Sequence, residues 1–133
     1  MNARPWSADV LQQAWNFAAD AHGDQKVPGT RRPYLTHLSA VTLEVARALI
    51  HAGGGRDADL ALQCAILHDV LEDTSVTRSE VAKHFEPPVV AGVAALTKNP
   101  NLPTSRLRLE DSLARIMRSP HEVWMVKICL LYT

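Results

Sequence analysis

The stretch from Ile66 to Thr74, ILHDVLEDT, closes an apolar run that begins at Leu60. Four of its side chains are able to bind a metal ion or to transfer a proton: His68, Asp69, Glu72 and Asp73. An unpaired charge inside a buried helix costs several kcal/mol, so these side chains need partners. On a helix, the four-residue spacing within the His–Glu pair and within the Asp–Asp pair directs both pairs toward one cleft.

Two interpretations of these residues are compatible with the pattern. In the first, a divalent cation binds the histidine and the aspartate, with the other carboxylates beside it, because imidazole and carboxylate are ordinary ligands of such cations. In the second, the helix ends in a solvated acidic turn, and His68 and Asp69 form a satisfied pair in the core. The spacing alone does not distinguish a metal site from a core pair.

The composition indicates a single all-α domain. The chain has 133 residues, of which 47% are apolar and 5% are aromatic. A chain of this length forms one domain with a sizeable core. Many Ala and Leu residues, with few β-branched runs, favour helices over sheet. We therefore expect residues 1–133 to fold as one helical domain.

Charge and cysteine content restrict the classes of partner and compartment. Fourteen basic and fourteen acidic residues give a formal net charge of zero, which argues against nucleic acid or a membrane surface as a partner. No stretch has the ~18 apolar residues of a membrane helix, and the first residues do not resemble a signal peptide. Cys64 and Cys129 lack C-x-x-C spacing, which indicates reduced thiols in a cytoplasmic protein. Nothing in the sequence indicates an oligomeric state.

Apolar periodicity, caps and breakers predict seven helices. Glycine and proline residues separate most of them. Their expected positions are Ser7 to Gly23, Thr36 to Ala52, Asp57 through the central stretch, Thr77 to Phe85, Pro88 to Leu96, Arg106 to Arg118, and Ser119 as an N-cap to the chain end.

Two features outside the central stretch are candidates for a site. The loop from residue 24 to residue 33 carries three cations: Lys26, Arg31 and Arg32. Beside a carboxylate-lined cleft they could hold phosphate oxygens, although a short basic loop is equally compatible with simple solvation. His37, in the first turn of the second helix, is weak evidence by itself. His22, at the end of the first helix, is most simply a partly exposed residue.

The ordered set Tyr34-x-x-His37, His68-Asp69, Glu72-Asp73-Thr74 and Thr97-Lys98 resembles the HD-domain metal-dependent phosphohydrolases. The branch it resembles most is that of the guanosine tetraphosphate (ppGpp) hydrolases of the RelA/SpoT and metazoan SpoT-homologue type. The similarity spans residues 14 to 128, and it implies the helical bundle of the HD domain. A His-Asp dipeptide alone would mean little, whereas the ordered set with H-D-x-x-E-D intact is fairly specific.

The resemblance also implies roles for individual residues. His37, His68 and Asp69 match three of the four metal ligands, which usually surround Mn2+. Glu72 and Asp73 match the pair that orients and activates the attacking water. Tyr34 is a candidate for contact with a small-molecule nucleotide, from which the family's hydrolases release pyrophosphate at the ribose 3′ position. Lys98 could contact this substrate or brace the site, although a lysine at the C-terminal end of a helix is just as commonly a solvated cap.

One departure from the family pattern concerns the nucleotide. The ppGpp hydrolases usually carry an Arg-Lys pair soon after the glutamine that corresponds to Gln25, and that pair contacts the nucleotide. Here the run is QKVPGTRR, from Gln25 to Arg32, so the pair is missing or displaced. A preference for guanine is therefore not implied, and Lys26, Arg31 and Arg32 are the available substitutes.

A second departure concerns the fourth metal ligand. The family continues Val-Lys-Leu-Ala-Asp-Arg, and its Asp completes the site, whereas alignment on Val126 and Lys127 puts Leu130 there. Residues 129–133 have the sequence CLLYT. The DNA sequence TGT CTC TTA TAC ACA encodes this peptide, and that DNA sequence matches a transposase end sequence used in sequencing libraries. We hypothesise that the genuine reading ends near Lys127 or Ile128 and that the complete domain is longer. The alternative is a degenerate homologue with a weaker metal site.

These features lead to one principal interpretation and two alternatives. The principal interpretation is a Mn2+-dependent phosphohydrolase that resembles the (p)ppGpp 3′-pyrophosphohydrolases. The first alternative keeps the chemistry but changes the substrate to another nucleotide or phosphate ester. The second is a non-catalytic helical module that binds a nucleotide, which an incomplete metal site would permit.

Overall fold

Eight helical segments follow one another along residues 6–133, the part of the chain that the computed structural model describes. They are α1 (Ala8–His22), α2 (Leu35–Ala52), α3 (Ala58–Leu67), α4 (Val70–Asp73), α5 (Arg78–His84), α6 (Pro87–Leu96), α7 (Ser105–Met117) and α8 (His121–Leu130). Within these residues, β pairing is limited to one isolated bridge between Lys26 and Pro33. The prediction of an all-α fold is confirmed.

Local sequence explains where several helices begin. The Ser7 side chain accepts a hydrogen bond from the backbone of Val10, as expected of an N-cap. Thr77 and Glu80 form the predicted capping box at the start of α5. The start of α8 was predicted wrongly by one position: Pro120, in an extended conformation, is the N-cap instead of Ser119.

The predicted third helix is interrupted within the central stretch. α3 ends at Leu67, and α4 begins only at Val70. Between them Asp69 has φ −97° and ψ −2°, values of the bridge region between helix and strand. A continuous helix over this stretch is therefore a wrong prediction, because Asp69 leaves helical geometry where its carboxylate contacts other helices.

Helix α3 occupies the centre of the domain. Every residue from Leu60 to Leu67 is buried, and the helix packs against α1, α2, α6 and α8. A helix that is apolar on all sides needs neighbours on all sides. This packing fixes the end of α3, and with it His68 and Asp69, relative to the start of α2. No helix among the described residues is both long and apolar enough to cross a membrane.

The contact of α3 with α6 and α8 depends on a small residue at position 92. A Cβ added to Gly92 would lie 2.6 Å from the Cys64 sulfur and 3.1 Å from a methyl carbon of Val123. Both neighbours are fully buried. The interior has no room into which they could move freely.

Replacing Gly92 with alanine tests this contact. Alanine in an exposed helix is more favourable than glycine by about 1 kcal/mol, whereas overpacking costs about 1–3 kcal/mol. We expect the free energy of unfolding, measured by urea titration, to fall in Gly92→Ala and to recover in part in Cys64→Ala/Gly92→Ala. Ala91→Ser, at an exposed position of the same helix, is the control. A Gly92→Ala variant as stable as the parent would contradict the packing described.

Candidate metal centre

Three predicted ligands meet at the junction of α2, α3 and α4. One ligand atom each from His37, His68 and Asp69 lies within 4.8 Å of the others. His68 Nε2 is 3.0 Å from Asp69 Oδ2, and His37 Nε2 is 3.6 Å from the same oxygen. His37 comes from the first turn of α2, while the other two residues lie between α3 and α4. The fold thus brings together residues more than 30 positions apart in sequence.

The orientation of His68 suits a metal ligand. Its Nδ1 is 2.6 Å from the carbonyl oxygen of Ala65. Because a carbonyl only accepts, Nδ1 donates, and in the neutral ring Nε2 then carries the lone pair. A backbone carbonyl that fixes the second nitrogen in this way is the usual support of a metal-binding histidine.

Two acceptor atoms therefore face each other in this cluster. The lone pair of His68 Nε2 and the Asp69 carboxylate are 3.0 Å apart, and such a pair needs a cation or a proton beside it. Burial acts to lower the pKa of His68, but the hydrogen bond and charge of Asp69 outweigh it, so the pKa is raised. The donor set has the chemistry of a metal site, and a proton can occupy the same position.

The other two members of the cluster favour the forms that bind metals. Burial lowers the pKa of His37, which favours the neutral imidazole. Burial would raise the pKa of Asp69, yet the hydrogen bonds from His68 and Tyr34 more than compensate, so its pKa is lowered. A neutral imidazole and an ionised carboxylate are the states that coordinate divalent cations.

Tyr34 connects two of the carboxylates. Its hydroxyl lies 2.5 Å from Asp69 Oδ2 and 3.1 Å from Asp73 Oδ2. Burial, followed by the hydrogen bond and charge of Asp69, raises the pKa of the phenol, so the hydroxyl stays protonated and donates. Tyr34 is thereby a support of the cluster, a role beyond the substrate contact predicted for it.

His22 is a residue of this region that the sequence interpretation missed. It is buried, with only 6% of its surface exposed, where a partly exposed residue was expected. Its Nδ1 is 2.8 Å from Gln25 Oε1, and its ring stacks on Tyr34 with centroids 4.8 Å apart. The Tyr34 backbone N–H also donates to the Gln25 carbonyl at 2.8 Å. In the sequence, His22 and Gln25 stand on either side of Gly23, which ends α1, and this proximity was the signal for a contact between their side chains.

The predicted catalytic carboxylates are held by different partners. Asp73 accepts from Tyr34, whereas Glu72 Oε1 accepts from the backbone N–H of Lys98 at 2.8 Å. Both are exposed, as groups that meet a substrate must be. The i to i+4 argument for His68 and Glu72 stays a prediction, and a tertiary contact with the Lys98 backbone holds the Glu72 carboxylate.

Two lysines act on the surroundings of Glu72. The Lys98 backbone N–H donates to the Glu72 carboxylate. Burial and the charge of Lys98 lower the pKa of Lys127, while the charge of Glu72 acts to raise it. Lys127 is a second residue that sequence reasoning did not single out, and lysine ammonium groups are suited to phosphate oxygens.

The basic loop is a closed turn beside the start of α2. Val27 N–H donates to the Arg32 carbonyl at 2.9 Å, and Thr30 N–H donates to Val27. Lys26, Arg31 and Arg32 are exposed on it. The structure records no contact between these cations and the histidine–aspartate cluster among the described residues, so their role in substrate binding stays a prediction.

Leu130 offers no ligand atom at the position expected for a fourth ligand. It is the last residue of α8, and it packs partly buried against the core. Within residues 6–133 the metal-binding cluster therefore consists of three side chains. Three protein ligands with the remaining positions open is an arrangement that catalytic metal sites use.

Comparison with known proteins identifies the family of this chain. A family model described as "HD domain" matches residues 14–123. The chain therefore belongs to the HD-domain family, and the resemblance noted in the sequence is confirmed.

Several of the named relatives are hydrolases of one kind. The chain is 36% identical over 115 residues to the guanosine-3′,5′-bis(diphosphate) 3′-pyrophosphohydrolase MESH1 of Xenopus tropicalis, which covers 86% of this chain and 59% of that protein. The protein of the same name from Homo sapiens is 37% identical over 117 residues, with the same two coverages. The chain thus spans about three fifths of the length of these relatives. A guanosine-3′,5′-bis(diphosphate) 3′-pyrophosphohydrolase of Aquifex aeolicus is 37% identical over 94 residues, 71% of this chain and 12% of that protein.

A solved structure shares the fold. It is described as "A metazoan ortholog of SpoT hydrolyzes ppGpp and plays a role in starvation responses". The TM-score is 0.74 at 24% sequence identity, and the match covers 97% of this chain and 68% of the other. At this identity the likeness shows the fold.

Tyr34→Phe tests the support of the cluster. The variant keeps the ring that stacks on His22 but removes the hydroxyl that Asp69 and Asp73 share. Loss of such an outer-shell hydrogen bond typically weakens metal binding about 10- to 100-fold. We expect this loss in Mn2+ affinity by isothermal titration calorimetry, and none in Tyr132→Phe, whose ring is 80% exposed. Equal affinity in Tyr34→Phe and the parent would contradict the proposed support.

Proposed function

We propose that this domain is a Mn2+-dependent phosphohydrolase that releases pyrophosphate from the ribose 3′ position of (p)ppGpp. The observation that carries the proposal is the cluster of His37, His68 and Asp69. Glu72 follows it three residues later in the chain, and the Lys98 backbone holds its carboxylate. The activity named for the relatives supports the choice of substrate. Metal-dependent hydrolysis uses these groups: ligands for the cation and a nearby carboxylate as the base.

Each residue has a role in this chemistry. His37, His68 and Asp69 would hold the cation, which lowers the pKa of a water and polarises a phosphoryl oxygen. Glu72 accepts the proton of the attacking water, and the Lys98 backbone N–H keeps its carboxylate in place. Asp73, tied to Asp69 through Tyr34, orients the water. Because Glu72 and Asp73 are exposed, a substrate can reach them from solvent.

The nucleotide would bind through its phosphates. Lys98 and Lys127 adjoin Glu72 and suit the leaving pyrophosphate, since their charge offsets the charge that develops on it. The exposed cations of the loop, Lys26, Arg31 and Arg32, are candidates for the 5′-phosphates. The charge balance of the chain gives no support to nucleic acid as a substrate. We place the protein in the cytoplasm, where the free cysteines Cys64 and Cys129 stay reduced.

A second candidate function differs in the nucleotide. The Arg-Lys pair expected after Gln25 is absent, and Lys26 is followed by Val27. The same chemistry on another nucleotide or phosphate ester fits this departure. Comparing turnover of ppGpp, pppGpp and simple nucleoside phosphates under one condition decides between these substrates.

Two substitutions separate metal binding from catalysis. Asp69→Ala removes the ligand shared by both histidines, so we expect loss of Mn2+ binding and of turnover. Glu72→Gln keeps the three ligands but removes the base, so we expect unchanged Mn2+ affinity and a fall in kcat of roughly two to four orders of magnitude. Glu110→Gln, on the exposed face of α7, is the control. Full activity in Glu72→Gln would show that the assigned mechanism is wrong.

Calorimetry with Mn2+ and ppGpp separates the enzyme from a non-catalytic binding module. If the domain is an enzyme, a parallel assay should detect released pyrophosphate at a rate proportional to the protein concentration. That release should stop when Mn2+ is chelated. Heat of ppGpp binding without any release of pyrophosphate would instead support a module that binds the nucleotide. The absence of Mn2+ binding would exclude a Mn2+-dependent hydrolase, whether its substrate is (p)ppGpp or another phosphate ester.

The nature of residues 129–133 bears on the strength of the metal site. We propose that these residues are adaptor-derived and that the natural chain has Asp at position 130, as the family pattern has. Re-amplifying the gene from source DNA and reading the codons after Lys127 is expected to give that Asp. A confirmed CLLYT would establish a site with three protein ligands, and tight Mn2+ binding would then be unexpected.

A further inference from the structure

We propose that Arg115 of α7 is a positioning residue for Glu72 and acts through the C-terminal end of α6. This inference rests on the proposed function, because Glu72 is the group whose position matters to the reaction. Arg115 itself is remote in sequence from the metal cluster and has no contact with it. Its guanidinium reaches the segment that donates the hydrogen bond to Glu72.

The end of α6 needs partners from outside the helix. The last carbonyl groups of an α-helix have no partner within it, and they carry the negative end of the helix dipole. α6 ends at Leu96 without a glycine cap, and Thr97 has an extended conformation. The Thr97 hydroxyl donates to the Val93 carbonyl at 2.8 Å, and the Thr97 N–H donates to the Ala94 carbonyl at 3.2 Å. The carbonyls that follow Ala94 need partners from other elements.

Side chains of α7 supply these partners. Arg115 donates through Nη1 to the Ala94 carbonyl and through Nη2 to the Thr97 carbonyl, the latter at 2.7 Å. Ser112, which is buried, donates to the Ala95 carbonyl at 2.8 Å. One planar guanidinium therefore bridges the last turn of α6 and the residue that follows it, and its fixed fork of N–H groups suits two separate acceptors better than an ammonium group does.

Asp111 fixes the guanidinium in this orientation. Its Oδ2 accepts from Arg115 Nε at 3.1 Å and from Nη2 at 2.9 Å. The Arg115 side chain is only 30% exposed. The carboxylate occupies one edge of the guanidinium, so the other N–H groups point at the α6 carbonyls.

The same peptide group that Arg115 binds also contacts the site. The Thr97 carbonyl, which accepts from Arg115, and the Lys98 N–H belong to one planar peptide group, and that N–H donates to Glu72 Oε1 at 2.8 Å. A hydrogen bond to a carboxylate orients that group. Arg115 thus determines where the base of the reaction stands without touching substrate.

The chain contains two matched controls on the same helix. Arg106 pairs with Glu110 with the same four-residue spacing, but its side chain is 87% exposed and faces away from α6 contacts. Ser112 caps α6 at Ala95 but does not touch Thr97. Arg106→Ala therefore removes a similar ion pair only, and Ser112→Ala weakens the α6–α7 contact without freeing the Thr97 carbonyl.

The first readout needs no turnover. Amide hydrogen exchange at Lys98 is expected to accelerate about tenfold in Arg115→Ala and in Glu72→Ala, since each removes a part of the same chain of hydrogen bonds. Arg106→Ala and Ser112→Ala are expected to leave exchange at Lys98 close to the parent. Parent-like exchange at Lys98 in Arg115→Ala would overturn the inference.

The second readout separates positioning from stability. In Arg115→Ala we expect kcat to fall about 10- to 100-fold, with KM for ppGpp and affinity for Mn2+ unchanged. Arg115→Lys should recover part of the loss, and it also serves as the test variant if the alanine variant does not fold. Ser112→Ala, destabilised to a similar extent, should retain kcat. Equal loss of kcat in Ser112→Ala and Arg115→Ala would show a merely structural role and overturn the inference.

The two readouts keep the inference and the proposed function distinguishable. If the parent chain binds Mn2+ but hydrolyses no nucleotide, the proposed function fails, while exchange at Lys98 still tests whether Arg115 positions the segment that holds Glu72. If the parent is active and Arg115→Ala matches it in kcat and in exchange at Lys98, the proposed function stands and the inference about Arg115 fails.

Discussion

The arrangement of the site depends on the carboxylate of Asp69. Its Oδ2 is 2.5 Å from the Tyr34 hydroxyl, 3.0 Å from His68 Nε2 and 3.6 Å from His37 Nε2. These contacts to one half-buried oxygen connect three places in the fold: the start of α2, the end of α3 and the start of α4. A carboxylate in such surroundings needs donors or a cation around it, and all three neighbours can meet that need.

The sequence identified the chemical groups of the cluster but not all that holds them. His68 and Asp69 stand out because they are polar within an apolar run, and His37 was added through its place in the family pattern. His22 was expected to be partly exposed, since a histidine at a helix end is ordinarily solvated, whereas tertiary packing puts its ring on Tyr34. Propensity likewise favours a continuous helix across Asp69, and the contacts that interrupt it come from elsewhere in the chain.

The fold was more predictable than the contacts that hold the Glu72 carboxylate. Apolar periodicity, Gly and Pro breakers and N-caps are local signals, so most helix positions followed from them. The contact of Glu72 with the Lys98 backbone is not local, because it joins residues 26 positions apart. The hydrogen bonds that join Asp111, Arg115 and Thr97 are also non-local. The sequence shows the i to i+4 spacing of Asp111 and Arg115 on α7, but it does not show that Arg115 faces the carbonyls of α6.

The most direct test of the account is the anomalous diffraction of a crystal of this domain grown with Mn2+. The account predicts an anomalous peak that is coordinated by His37 Nε2, His68 Nε2 and the Asp69 carboxylate, with Glu72 outside the ligand set but beside it. A peak at another group of residues, or no peak at this cluster at saturating Mn2+, would contradict the assignment of these three residues as the metal centre.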